Sequence, residues 1–188
     1  MEELASQWNN FSLSEKEKAS YTFLKEQRPG KFILAAEFLT PRFLNMEVMA
    51  RTFKQLWRST MGFKIRNQNE HRVLFVFDNL GDINRIIQNQ PWSFDKHLVM
   101  LQRYNLDYPV QDLVFLRTKF WLQVHDIPTR YMKMEVAENI CEIIGEVQKS
   151  TKRADEEGGY LMRVRVELDI TQPLCRGRLI TLEKGKKH

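Results

Sequence analysis

The stretch "RVLFVF", residues 72–77, is apolar on both of its sides. Side chains of an extended strand alternate between two faces. Val73, Phe75 and Phe77 therefore share one face, and Arg72, Leu74 and Val76 share the other. A strand of this kind belongs in a sheet that is apolar on both faces. "KFILAAEFL" repeats the pattern, with Phe32, Leu34, Ala36 and Phe38 alternating with Ile33, Ala35, Glu37 and Leu39. The composition permits such a core: 43% of the 188 residues are apolar, enough for one large domain or two small ones.

Around these strands the periodicity predicts a regular order. "LNMEVMARTFKQLW" carries Met46, Met49, Phe53, Leu56 and Trp57 at helical spacing, with Asn45 as N-cap. "GFKIR" and "HRVLFVF" form two strands joined by the polar turn Asn67-Gln68-Asn69. "LGDINRIIQNQ" is a short helix with Ile83, Ile86 and Ile87 inward, and "PWSFDKHLVMLQRYN" gives a turn and a fourth strand. The order β-α-β-β-α-β over residues 31–105 is that of a ferredoxin-like, RRM-like α+β unit, with an antiparallel sheet and both helices on one face.

A polar linker at 106–112 leads to a second, smaller unit over 113–182. "KFWLQVHDIP" is a strand, "KMEVAENICEII" a helix with Val136, Ile140 and Ile143 on one side, and "GEVQKST" a short strand. "TKRADEEGG" is a charged hairpin loop. "YLMRVRVELDI" alternates strictly, with Met162, Val164, Val166, Leu168 and Ile170 opposite Arg163, Arg165, Glu167 and Asp169. This βαββ unit is expected to pack against the first. Residues 1–30 look peripheral, with a short charged helix in "LSEKEKASYTFL", and 183–188 form a basic tail after a last short strand.

The charge of +5 permits contact with phosphate without demanding it. The two cysteines, Cys141 and Cys175, lack partners at metal-ligand spacing. Cys141 falls in a helical apolar pattern and reads as core. No disulfide framework, cofactor or metal is expected, and no stretch approaches the roughly 20 apolar residues of a membrane span. With an acidic, polar start, the chain is expected to be soluble and intracellular. The four histidines are scattered, and His125-Asp126, neighbours on a strand, point to opposite faces. The nucleophile elbow, P-loop and H-E-x-x-H patterns are absent from the sequence. An enzyme with a small-molecule substrate is not expected.

What remains is basic. Glu47, Arg51, Lys54 and Arg58 share a helix face, leaving Lys54 and Arg58 for solvent or phosphate; the plainer reading is a solvated face. The RNA-reading sheets that the first unit evokes expose aromatic rings on their open face. With Phe75 and Phe77 packed on the helices, the open-face triplet Arg72, Leu74 and Val76 offers one charge and no ring. Arg72 is the triplet's single candidate for phosphate, its plainer role being a cross-strand pair with Glu37. Such an apolar open face is covered by the second unit or the N-terminal segment, or it binds a partner.

Three ordered stretches carry a family resemblance. "PWSFDKHLVMLQRY", "FWLQVHDIPTRYM" and "GGYLMRVRVELDITQPLCRGRLI" resemble, in order, the signatures of a plant domain of unknown function found in LINE-type retroelement proteins. The resemblance covers about residues 20–182. Tyr104 stands where the first signature has tryptophan. The resemblance implies a nucleocapsid-like binder of RNA or single-stranded DNA, usually followed by a Cys-Cys-His-Cys zinc knuckle, which this sequence lacks. Arg103, Arg163, Arg165, Arg176 and Arg178 are the basic positions within the matching signatures and are expected at phosphates; solvated strand-edge charges are the plainer role. Tail residues Lys184, Lys186 and Lys187 join them. The expectation is a sequence-tolerant single-stranded RNA-binding module that acts mainly through Arg and Lys. The competing expectation is a protein-interaction or homo-oligomerisation module whose RNA work falls to a zinc knuckle.

Overall fold

The computed structural model describes residues 30–149, 161–175, 177 and 180. The chain divides into two compact units, residues 1–30 and 31–188, and every described strand and helix belongs to the second. The expected helix in "LSEKEKASYTFL", the charged loop after Lys149 and the basic tail lie outside the described residues.

Two antiparallel sheets and three α-helices make a mixed α/β architecture among the described residues. The first sheet contains β1 (Phe32–Phe38), β2 (Phe63–Asn67), β3 (Arg72–Phe77), β4 (Trp92–Phe94) and β5 (His97–Tyr104), in the order β2-β3-β1-β5-β4. Helices α1 (Met46–Trp57) and α2 (Leu80–Gln88) both pack on one face. Helix α1 starts because the Asn45 side chain accepts the amides of Glu47 and Val48 at 3.1 and 3.0 Å. Its buried stripe is Met49, Phe53 and Trp57, and it ends at Arg58, which adopts φ 44 and donates its amide to the Lys54 carbonyl.

Phe75 and Phe77 lie at 0% exposure on the helix side with Leu34, Ala36 and Phe38, and Ile83 and Ile86 of α2 complete that core. Phe53 is the hub, edge-on to Phe38 at 6.0 Å and to Phe75 at 5.7 Å, a geometry aromatic quadrupoles favour. The other side of β1 and β3 is buried too: Ile33, Ala35, Leu74 and Val76 form a second core with Met100, Tyr104, Val110, Leu113 and Phe115.

One strand more than expected is present. "WSF" and "HLVMLQRY" form a hairpin rather than a turn and a strand, closed by Asp95 and Lys96 with φ values of 47 and 65. Positive φ at both central positions is the type I′ requirement, and here neither residue is glycine or asparagine, the residues that usually announce it.

The second sheet has the order β6-β8-β7, from β6 (Arg117–Val124), β7 (Glu146–Gln148) and β8 (Met162–Asp169), with α3 (Met134–Cys141) on one face. Its core takes Met162, Val164, Val166 and Leu168 from the alternating strand, as the period of two requires. Helix α3 turns a different stripe inward than expected. Ala137 and Cys141 are its buried residues, and Ile143 is exposed beyond the helix end. The small side chains fit the helix to the sheet, while the β-branched residues that suggested the other stripe are only partly covered or outside it. Gly145 explains how the chain returns: a Cβ there would lie 2.4 Å from the Glu167 carbonyl oxygen. Ile170 ends the alternation. It packs with the second core of the first sheet, its amide bonded to the Leu116 carbonyl at 2.8 Å.

Candidate functional site

The open face of the first sheet is closed by the chain itself. Val110, Leu113 and Phe115 lie across it, held at one end by Arg72. Arg72 Nε donates to Glu37 Oε1 at 3.0 Å, its register partner on β1. Its Nη1 donates to the carbonyls of Val110 and Gln111 at 3.3 and 3.0 Å, and its guanidinium lies 5.6 Å from the Phe115 ring. Arg72 therefore fastens the covering segment. The polar linker expected at 106–112 is the start of that cover.

The outer face of the second sheet, opposite α3, is built differently. Register pairs Arg117 with Asp169, Lys119 with Glu167, Trp121 with Arg165 and Gln123 with Arg163. These residues alternate with the buried ones and share the outer face. At the Asp169 end each cation stands opposite an acid. At the other end Arg163 stands opposite Gln123, and Arg165 opposite Trp121, so positive charge is in excess there. Arg163 is exposed. Trp121 is 53% exposed, unusual for a large ring in the middle of a strand.

Arg165 supports that ring. Its guanidinium lies 5.0 Å from the Trp121 ring centroid and donates through Nη2 to the Gln88 carbonyl, at the C-terminal end of α2, at 2.8 Å. A cation at a helix C-terminus is favourable, and the bond ties the second sheet to the first. Only 8% of Arg165 is exposed, and its Nη1 is buried without a protein hydrogen-bond partner among the described residues. Burial pushes its pKa down from the usual arginine range.

The other expected basic residues are dispersed. Lys54 and Arg58 are exposed at the end of α1. Arg103 is exposed and donates to Asn84 of α2. Arg176, Arg178, Lys184, Lys186 and Lys187 lie outside the described residues. Arg58 also borders a cleft of about 250 Å³ with Leu56, Trp57, Arg85, Ile86, Asn89 and Trp92. The C-terminal ends of α1 and α2 meet there, and Arg85 Nη2 donates to the carbonyls of Trp57 and Arg58 at 2.8 and 3.0 Å. Two negative dipole ends oppose an anion, so Arg85 serves as a cap of α1 in this cleft. Asp82, 3% exposed, braces the same corner by accepting the Ser59 hydroxyl at 2.8 Å and the Thr60 amide at 3.0 Å.

Residues 30–111 match the family model of a domain of unknown function, DUF4283. The DUF4283 match spans the whole first sheet, both of its helices and the start of the segment that covers it, and ends before β6. No curated protein and no solved structure matches the chain. Trp121 was the residue missed in the sequence. Its signal was present: with Phe120, Leu122 and Val124 inward, period two puts Trp121 outward beside Lys119 and Gln123.

Proposed function

We propose that the chain is a sequence-tolerant single-stranded nucleic-acid-binding module, preferring RNA, of a retroelement-derived ribonucleoprotein. The observation that carries this is the outer face of β6 and β8, where the exposed Arg163 faces Gln123 rather than an acid, beside the half-exposed Trp121. Cations without acids opposite them attract a phosphate chain, and arginine pairs with phosphate through two N–H groups at once. Lys54, Arg103 and the basic tail add charge without sequence preference.

Element order and strand order in the first sheet support an RRM-like scaffold with β4 added at its edge. Its open face is filled, so the nucleic acid is assigned to the second sheet. The chain acts by binding rather than by catalysis. An interaction module is the second reading. The open face that suggested it is occupied, and what favours it now is the exposure of Phe43 and Met61, 83% and 70%.

The test is a titration of a labelled 20-mer single-stranded RNA at two ionic strengths. Expected is binding at low salt that weakens steeply as salt rises. No binding at low salt and micromolar protein overturns the assignment, and a dimer seen by light scattering then favours the interaction module.

A further inference from the structure

Resting on that nucleic-acid assignment, we propose that Trp121 is a stacking platform for an unpaired base, which makes the second sheet selective for single strands. Several observations converge on the ring. It sits on the exposed face of an antiparallel sheet, in the middle of β6. A sheet holds its side chains in fixed rows, so the ring stands between Lys119 and Gln123, about 7 Å away on either side. Arg163 is its diagonal neighbour on β8, roughly 7–8 Å away.

The ring is also held in place. Arg165 lies 5.0 Å from its centroid and is itself fixed by the Gln88 carbonyl. A cation against one face of an indole orients it and leaves the exposed part of the ring to a ligand. Arg165 Nη1 is buried with no protein hydrogen-bond partner among the described residues, so this guanidinium holds the ring in place rather than meeting a ligand itself. An unpaired nucleotide supplies what this arrangement lacks: a flat π-face for the indole and phosphate oxygens for the exposed Arg163. A base inside a duplex cannot present its face, so a duplex gains only the Coulombic part.

The experiment compares Trp121→Ala and Trp121→Phe with the parent, using labelled 20-mer oligo(U) and a 20-base-pair duplex as probes. Expected is a loss of about 5- to 150-fold in single-strand affinity for Trp121→Ala, with the slope of log Kd against log salt unchanged. Trp121→Phe keeps most of the affinity, and duplex binding is the same in all three proteins. Oligo(U) should quench the parent's indole emission, and Trp121→Phe should lose that quenching; this readout holds even where the alanine variant does not fold. Equal single-strand affinity in parent and Trp121→Ala, or equal quenching in parent and Trp121→Phe, overturns the stacking role and leaves salt-dependent binding intact. A parent that binds neither probe overturns the nucleic-acid assignment itself, and the stacking role with it.

Discussion

Asp82 shows how single residues hold this fold. Burial alone raises its pKa, but the Ser59 hydroxyl, the Thr60 amide and hydroxyl and the Arg85 guanidinium together bring it below the ordinary carboxylate value. Because the folded value lies below the unfolded one, ionised Asp82 stabilises the fold at all pH above the unfolded value. That contribution is lost as pH falls through the folded value. Thermal melts from neutral to acidic pH should show Asp82→Asn less stable than the parent by about 1–3 kcal/mol at neutrality. The gap should narrow in acid; a gap that stays constant would contradict the ionised network. Phe75 and Leu74 test the two covered faces in the same way. Phe75→Ala should cost about 3–5 kcal/mol and Leu74→Ala about 2–5 kcal/mol, measured by denaturant unfolding, because each vacates a filled core. A Leu74→Ala protein as stable as the parent would mean that the second face is not packed in solution.

At the scale of elements, the segment from Val110 to Phe115 decides what the first sheet can do. Arg72 is its fastener, with one bond to Glu37 and two to backbone carbonyls. Arg72→Gln should lower stability by about 1.5–3 kcal/mol, the usual worth of hydrogen bonds to a charged group, and leave RNA affinity at a given salt nearly unchanged. A variant that melts like the parent and binds RNA more weakly would return Arg72 to the phosphate. The strands and helices of the first sheet were legible in the sequence because alternation in β1 and β3 and the stripe Met49, Phe53, Trp57 are strong local patterns. That the open face needs a cover was legible, with residues 113–182 as one candidate, but which side chains supply it was not. Val110, Leu113 and Phe115 follow no period, and the face they fill is remote in sequence. The hairpin of β4 and β5 escaped because Asp95 and Lys96 adopt positive φ without the usual turn residues. Cys141 was read as core and is buried; the rest of the inward stripe of α3 escaped because Ala137 signals burial less strongly than valine and isoleucine.

For the whole molecule, the two sheets have different surfaces. The first is apolar and filled on both sides, while the second has one packed side and one polar side, with Arg165 linking it to α2. The site was half legible. Arg163 and Arg165 stood out by their alternation in β8, but their distinct positions, one exposed and one buried under an indole, depend on where α2 ends and so on the fold. The central claim is that nucleic acid meets the outer face of β6 and β8 and not the open face of the first sheet. Ultraviolet cross-linking of a 20-mer RNA containing 4-thiouridine, with adducts mapped by mass spectrometry, tests it most directly. Adducts are expected on the peptides holding Trp121 and Arg163, and none on β1 or β3. Adducts concentrated on Arg72, Leu74 or Val76 would contradict the claim.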